Sequence, residues 1–485
     1  MQHISKKLVL MSALMLTTAG CMVKPVPLTD TEIATQISSD LKEMTKDYEP
    51  ITAPLTLHQA IQRTLAHNLE YRLKLMEDAL ALRQVDIASY EMLPRLTAQA
   101  GYTQRDSYNA SSSMSYLTNQ QSLEPSYSQE KGHFTADLGL TWNILDFGVS
   151  YFQAKQQADR ALIMNERRRK VVHTVVQQVR HTYWLALGAQ QLQGSFEPLL
   201  LEVKQALDDT DQIEKQKLRP PLETLNYRKT LLETLRQMEA FRDELNQAKP
   251  RLATLMNLPP GQDFKLDTNE PMLIPALAES ITNLEAMALR LRPELMEARL
   301  QERISLQETK KAIAKMLPGI DLSVGPHLDT NTFLANKTWI EGGARATWNL
   351  MSLITGPAQY KLAKNQEEVS RMSRLALSMA VLTQVHVSYQ DFFSKKRQYE
   401  LAQQIQELDA KIFNQTQNAV VTGAKNKLDE IKTSITSLMA DYRKYQNYAA
   451  LQNAYGQLLV SVGSVPLIGN PAEVLQTKTD EKVKQ

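Results

Sequence analysis

The residues best suited to chemistry in this sequence are few and widely spaced. His173 and His181 lie eight positions apart in one helical pattern, and no cluster of carboxylates accompanies them. Two imidazoles without further ligands make a poor metal site, so we predict packed or solvated histidines, with no bound metal or other cofactor. The sequence also lacks a Walker-type phosphate loop, a G-x-S-x-G elbow and an H-E-x-x-H motif. These patterns predict a protein that is not an enzyme.

The charge balance argues against nucleic acid as a partner. The chain has 55 basic and 53 acidic residues and a formal net charge of +2. Nucleic-acid binding proteins carry a clear basic excess, which is missing here. The one basic run, Arg167 to Lys170, lies inside a helical pattern. We therefore expect it to form a solvated or inter-helix charged face.

The N-terminus carries a targeting signal, with Cys21 at its end. Lys6 and Lys7 precede an apolar stretch, residues 8–16, and small residues lead to the only cysteine of the chain. This arrangement resembles a bacterial lipobox, which implies cleavage of residues 1–20 and acylation of Cys21, for example with palmitate. The alternative is an ordinary signal peptide followed by an incidental cysteine.

An internal repeat organises the rest of the sequence. Met92-Leu93-Pro94 reappears as Met316-Leu317-Pro318, at an offset of 224. Trp142-Asn143-Ile144-Leu145 is similar to Trp348-Asn349-Leu350-Met351, at an offset of 206. The extra residues of the first half fall between these two landmarks, where we expect a longer surface loop.

Each half predicts the same order of elements. A helix over about 55–92 or 280–316 ends at proline. Two strand-like runs follow around a polar loop, which in the first half is residues 107–130. Two long helices then meet at a turn near 218–221 or 423–426. The abundance of strong helix formers and the low glycine content of 17 residues favour a fold dominated by long helices.

The strand-like runs alternate with a period of two. In the first half, residues 134–144 place apolar side chains at even positions and polar side chains at odd ones. In the second half, the apolar positions are Ala344, Ala346, Trp348 and Leu350. Such alternation is typical of transmembrane β-strands, and a soluble hairpin with one wet face shows it as well.

The number of strands bears on the oligomeric state. Two hairpins supply four strands in each chain, whereas the smallest closed membrane barrels have about eight. Four strands alone would leave open edges in lipid, where unpaired backbone groups are costly. If these strands lie in a membrane, several chains must share one barrel.

The order of helix, hairpin, helix and helix, given twice after a targeting signal, resembles the TolC-like outer-membrane efflux protein family. Four segments carry the resemblance: Leu55-Thr56-Leu57, Leu289 to Leu295, Leu140 to Gly148, and Val421-Thr422-Gly423 with Leu428 to Ile431. The resemblance covers about residues 50–465. It implies a trimer, with a shared 12-stranded outer-membrane β-barrel and a long-helix periplasmic α-barrel.

The resemblance also implies a function, a set of partners and a gate. The pore would be a passive tunnel that completes a tripartite efflux or type I secretion system, with a periplasmic adaptor and an inner-membrane transporter of the RND or ABC type. Asp429 matches an acidic ring at the periplasmic entrance, Lys425 matches a basic gating position, and Glu223 is the repeat-mate of Asp429. A ring of carboxylates would favour cations. Alternatively, Glu223 and Asp429 are solvated first-turn carboxylates that the helix dipole favours.

The chain is thus expected to divide as follows: signal peptide 1–20, lipid-anchored linker 21–54, first repeat 55–258 with its hairpin at about 95–146, connector 259–279, second repeat 280–471 with its hairpin at about 319–351, and disordered tail 472–485. The expected location is the bacterial outer membrane, with contact to its lipid and an extension into the periplasm. A lipid-anchored periplasmic coiled-coil scaffold or adhesin without channel activity is the competing interpretation.

Overall fold

A computed structural model describes residues 27–46, 49–121, 124–216, 220–259, 261–425 and 427–464. The predicted signal peptide, Cys21 and the predicted tail lie outside the described residues. The chain divides into two compact units, Met1–Ile51 and Thr52–Gln485. Within the described residues, no helix combines the length and the apolar character needed to cross a lipid bilayer.

The first unit contains a helix where the sequence predicted only a linker. Helix α1 spans Asp30–Thr45. Its capping box explains its start, because the Thr29 side chain accepts from the Glu32 amide while the Glu32 side chain accepts from the Thr29 amide. The linker prediction for 21–54 therefore missed a regular element that begins at a standard capping signal.

The helices of the second unit follow the predicted repeat. In the first half they are α2 Leu57–His67, α3 Leu69–Tyr90, α4 Ile144–Lys215 and α5 Pro221–Leu255. In the second half they are α6 Ile281–Leu291, α7 Pro293–Ala314, α8 Ser352–Val421 and α9 Lys427–Val462. At a rise of 1.5 Å per residue, the 72 residues of α4 extend over roughly 110 Å.

The first helix of each repeat is broken, which the sequence did not predict. The helix predicted for 55–92 is interrupted at Asn68, whose backbone is extended and whose side chain accepts a hydrogen bond from the Tyr71 amide. The helix predicted for 280–316 is interrupted at Arg292, because proline at 293 disfavours a helical conformation in the residue before it.

One four-stranded antiparallel sheet unites the two hairpins. Its strands are β1 Arg95–Gln104, β2 Gly132–Asn143, β3 Gly319–Asp329 and β4 Thr338–Thr347. They lie side by side in sequence order, so the two hairpins join where β2 pairs with β3. Within this sheet, β1 and β4 each have one neighbour and form the edges.

The fourth strand is shorter than expected. The predicted alternation extended through Trp348 and Leu350, but β4 ends at Thr347. The indole nitrogen of Trp348 instead donates to the Met316 carbonyl at 3.1 Å, which holds the chain against the start of the hairpin. Strand β2 passes directly into α4, since Asn143 caps the helix by accepting from the Asp146 amide.

Register gives the sheet two chemically different faces. Leu138 of β2 stands opposite Ala98 of β1, and Leu140 of β2 stands opposite Val324 of β3, all on one face. Asp137 stands opposite both Gln99 and His327 on the other face. Because side chains alternate along a strand, one face is mainly apolar and the other carries the charged and polar side chains.

The core of the long helices is aromatic. Tyr183, Trp184 and Tyr448 are almost completely buried between α4 and α9, and the rings of Trp184 and Tyr448 meet edge-on at 4.6 Å. The connector between the repeats packs against the same helices. The Gln190 side chain donates to the Leu266 carbonyl and accepts from the Leu266 amide.

Candidate functional site

The turn between α8 and α9 is built by a glycine. Gly423 has a φ of +74°, a conformation that favours glycine. Its amide donates to the Val420 carbonyl, and the next amide, that of Ala424, donates to the Ala419 carbonyl. This pair of bonds is a Schellman motif, which satisfies the last carbonyls of α8 and reverses the chain. The turn places the first residues of α9 beside the end of α8.

The predicted carboxylates both lie at helix starts. Glu223 is exposed in the first turn of α5, and Asp429 is half-buried in the first turn of α9. These positions are favourable for negative charge because the helix dipole is positive there. Both positions therefore suit a carboxylate on stability grounds alone, as the alternative interpretation holds.

Lys425 is exposed, and its ammonium group lies near the end of α8, where it donates to the Thr416 hydroxyl at 3.5 Å. At the other turn, Pro220 and Pro221 lead into α5, and proline at the first helical position is pre-organised for a helix. Arg219 lies outside the described residues.

The sequence reasoning missed Lys427, which links the two repeats. Its ammonium nitrogen lies 2.6 Å from a Glu202 carboxylate oxygen on α4 and 2.9 Å from Glu430 on its own helix. The hydrogen bonds that Lys427 donates to Glu202 and then to Glu430 raise its pKa. The pairing with Glu430 could be read from a spacing of three, whereas the pairing with Glu202 requires the fold.

A second group of ion pairs joins α4 to α5. The Arg228 guanidinium of α5 reaches Asp211 at 3.3 Å and Glu214 at 3.1 Å, both near the end of α4. Lys215 also pairs with Asp211 at 2.6 Å and, through its hydrogen bond, lowers the pKa of that carboxyl. The α4–α5 end is thus held by ion pairs between its own two helices. The α8–α9 end is instead joined to α4 by Lys427.

The basic run at 167–170 forms the predicted inter-helix charged face. Arg167 and Lys170 pair with Glu297 and Glu294 of α7, and Arg168 pairs with Asp78 of α3. The run thus joins α4 to the helices that precede each hairpin and is occupied by carboxylates.

The two histidines of the same helix have different surroundings. His173 is buried, and burial together with the Arg169 guanidinium lowers its pKa to about 4. His181 contacts the Ala449 carbonyl through its Nδ1 atom at 3.2 Å. Across the part of the chain that the structure describes, no group of three or more metal-ligating side chains is arranged to hold a metal ion.

Comparison with known proteins identifies what this architecture is similar to. Residues 60–258 match the family model of outer membrane efflux proteins. No curated protein sequence matches the chain significantly.

Several solved structures of outer-membrane proteins have a similar fold. The Campylobacter jejuni CmeC outer membrane channel aligns with a TM-score of 0.68 at 12% identity, covering 94% of this chain and 97% of that chain. The open state of the Neisseria gonorrhoeae MtrE outer membrane channel aligns with a TM-score of 0.65 at 15% identity, covering 84% and 89%. The Vibrio cholerae outer membrane protein VceC aligns with a TM-score of 0.62 at 13% identity, covering 84% and 96%.

Proposed function

We propose that this chain is a TolC-like outer-membrane efflux protein and that three copies form a passive channel from the periplasm to the exterior, a proposal supported by the match of residues 60–258 to the family model and by the fold. The location in the outer membrane follows from the family. The channel completes a tripartite efflux or type I secretion system, in which an inner-membrane transporter supplies the energy and a periplasmic adaptor joins the two. Its role is conduction without catalysis.

One observation carries the proposal: a two-faced sheet with two edges is followed by helices of 72 and 70 residues, the first directly after β2 and the second shortly after β4. Three such sheets supply 12 strands, and joining edge to edge pairs the backbone groups that β1 and β4 leave open. The apolar face then meets lipid and the polar face lines the pore.

The helices carry the complementary evidence for assembly. An apolar stripe stands exposed on α3, formed by Leu69, Leu73, Met76, Leu80 and Ile87. A second stripe stands exposed on α8, formed by Leu362, Val369, Met372 and Met379. Their spacings of three, four and seven are those of packed helices, so each stripe suits burial against a neighbouring copy.

The charged residues at the hairpin ends are proposed to form the periplasmic gate. Three copies of Asp429, together with three copies of its repeat-mate Glu223, place carboxylates around one entrance and favour cations there. Lys425 contributes a positive charge beside this ring. The ion pair between Lys427 and Glu202 holds the α8–α9 end against α4.

Single-channel recording in a planar bilayer tests the channel and the ring together. We expect wild-type protein to give small, cation-selective openings and Asp429→Ala to reduce the cation preference about two- to fivefold. Asp146→Ala is the matched control, because Asp146 is also a first-turn carboxylate but lies where β2 enters α4. Equal selectivity in both variants would leave Asp429 as a dipole-favoured carboxylate. A folded protein that never conducts would support the periplasmic scaffold instead.

The same recording tests the ion pair between Lys427 and Glu202. Lys427→Ala removes the bond to Glu202, so we expect more frequent or larger openings. Lys364→Ala is the control, because Lys364 pairs with Glu367 at 2.6 Å within one helix and links no other element. If Lys427→Ala opens no more often than Lys364→Ala, this ion pair does not hold the gate.

The partners are tested in cells. We expect deletion of this protein and deletion of its transporter to cause the same loss of export, and disulfide crosslinks from the α4–α5 and α8–α9 ends to capture the adaptor. Export that persists without any adaptor would contradict the tripartite arrangement.

A further inference from the structure

The polar face of the sheet contains one histidine held between two carboxylates. The Nδ1 atom of His327 on β3 lies 2.7 Å from an Asp137 oxygen on β2. Its Nε2 atom lies 4.0 Å from a Glu341 oxygen on β4. The imidazole therefore has a carboxylate on each side, one from each neighbouring strand.

Trp339 fixes this arrangement. Its indole stacks on the His327 ring, with centroids 5.4 Å apart and planes inclined by 16°. Its Nε1 atom donates to the Glu341 carboxylate at 3.4 Å. One side chain thus orients both the imidazole and the second carboxylate, so the cluster is built by three adjacent strands and not by a chance surface contact.

Two residues of opposite charge lie near this cluster. Asp329 lies two residues along β3, and Lys337 lies just before β4, where its carbonyl accepts from the Asp329 amide. His133 lies four residues from Asp137 along β2, nearer the end of that strand. The local balance is therefore set by Asp137, Glu341 and the protonation state of His327. All three remain partly exposed, with side-chain exposures of 39%, 68% and 28%.

We propose that Asp137 and Glu341 form a cation-attracting ring inside the strand region of the pore and that His327 weakens this ring when the exterior becomes acidic. The inference rests on the proposed channel, in which the polar face lines the pore. With a neutral imidazole the cluster carries two negative charges in each chain, and with a protonated imidazole it carries one. Protonation of the imidazole therefore halves the charge of the ring, and histidine is the residue type that most often acts as a pH-dependent switch in proteins.

Reversal potentials in a salt gradient measure the effect. We expect the cation-to-anion permeability ratio of wild-type channels to fall about two- to fivefold between pH 8 and pH 5, because halving the fixed charge weakens the attraction of cations. In His327→Gln no imidazolium can offset the two carboxylates, so we expect a high ratio that changes little between pH 8 and pH 5.

Two further variants make the test decisive. Glu341→Gln keeps the histidine, so we expect a lower ratio at pH 8 and a persisting response to pH, even if His327→Gln fails to insert. His386→Gln is the matched control, because His386 pairs with Glu285 at 2.5 Å on the helices, away from the sheet. It should respond to pH as the wild type does.

The contrary results are distinguishable. Wild-type protein that never conducts would overturn the proposed channel and this inference with it. Channels that conduct but keep a constant ratio between pH 8 and 5, or a His327→Gln variant that responds like the wild type, would overturn only the role of His327.

Discussion

Single side chains in this molecule matter according to what surrounds their charge. Asp159 on α4 is almost fully buried, and Arg303 on α7 meets both of its carboxylate oxygens through Nε at 3.0 and 2.9 Å. Arg83 and Asp86 form a pair of the same charges at 3.3 Å, but the arginine is 83% exposed. The first pair replaces lost hydration, whereas the second pair remains in water.

Removing Arg303 should therefore be costly. We expect Arg303→Ala to lower the free energy of unfolding by about 2–4 kcal/mol, because it leaves the buried Asp159 carboxylate without its guanidinium. Arg83→Ala should cost less than about 0.5 kcal/mol. Urea unfolding in detergent at a fixed protein concentration measures both. Similar losses for the two variants would mean that burial of Asp159 does not decide the energy.

His173 should make stability depend on pH. Burial, and then the neighbouring Arg169, lower its pKa to about 4, while Glu294 acts in the opposite direction. The unfolded chain protonates a histidine near pH 6.5, so stability is full above that pH and falls as the pH drops toward 4. Protonation of the unfolded state costs the folded protein on the order of 3 kcal/mol across this window.

His173→Leu should flatten this dependence. The measurement is the change in the urea midpoint between pH 7.5 and pH 4.5, with His386→Gln as a control because that histidine is about half exposed. The pKa of Glu294 is lowered despite its burial, by hydrogen bonding and by Arg292 and Lys170. Its contribution is present above the unfolded value of 4.5 and is lost as the pH falls from there through the lowered pKa, so it changes little between pH 7.5 and pH 4.5. A dependence as steep in His173→Leu as in the wild type would contradict the assignment.

The sequence predicted the carboxylates of the proposed gate but not the ion pair of Lys427 with Glu202. Glu223 and Asp429 could be found because each repeat predicts the other. Glu202, in contrast, is an ordinary charged residue in a long helix. Only the packing of α9 on α4 brings it to Lys427, and no local pattern predicts which helices of a bundle become neighbours.

At the scale of elements, the two helix breaks show one solution made from different residues. Asn68 and Arg292 occupy equivalent positions of the repeat, and hydrogen bonds to the long helices hold each break in place. The Asn68 amide nitrogen donates to the Leu255 carbonyl at 3.2 Å. The Arg292 guanidinium donates to Gln384 and pairs with Glu294, while Arg169 donates to the carbonyl of Leu291.

Gly463 completes the second of these joints. A side-chain β-carbon at this position would meet backbone atoms of Arg292 and Leu291 at 2.8 Å, and the residue has a φ of +74°. We expect Gly463→Ala to lower the free energy of unfolding by at least about 1–2 kcal/mol. Thermal unfolding in detergent measures the change.

Gly194→Ala is the matched control for that joint. A β-carbon at 194 meets nothing within 4 Å, and the residue lies inside α4. Alanine there should stabilise the helix by about 0.5–1 kcal/mol. If Gly463→Ala were equally neutral or stabilising, the close contact with the α6–α7 break would not constrain the fold.

The order of elements was largely readable, and the breaks were not. Period-two runs and the Trp-Asn landmark predicted both hairpins, and the scarcity of proline and glycine predicted the long helices. Asn68 carries no proline or glycine signal, and the apolar period runs through it. Pro198 shows the converse, because a proline often ends a helix but α4 continues through this one. In both places tertiary packing outweighs the local preference.

At the scale of the whole molecule, the exposed stripes on α3 and α8 give the clearest reason to expect assembly. A soluble helix rarely presents several large apolar side chains in a row to water. Met76 on α3 is 70% exposed and Leu362 on α8 is 71% exposed. The fold of one chain is therefore incomplete with respect to its apolar surface.

A charge placed in this stripe should prevent assembly. We expect Met76→Asp to shift the detergent-purified protein from trimer to monomer, because a carboxylate would be buried without a partner between copies. Arg83→Asp is the control, since Arg83 lies on the same helix and is 83% exposed in its pair with Asp86. Native mass spectrometry reads the stoichiometry, and an unchanged trimer in Met76→Asp would place the interface elsewhere.

The central pairing of the sheet has a consequence for biogenesis. Asn143 of β2 bonds to Asp321 of β3, 178 residues later. A ribosome adding about 5–20 residues per second needs on the order of 10–35 s to supply the second strand. During that interval the first hairpin waits with an apolar face and an open hydrogen-bonding edge, which is a template for aggregation. The first β-hairpin is therefore the part of the sheet most exposed to mispairing while the chain is being made.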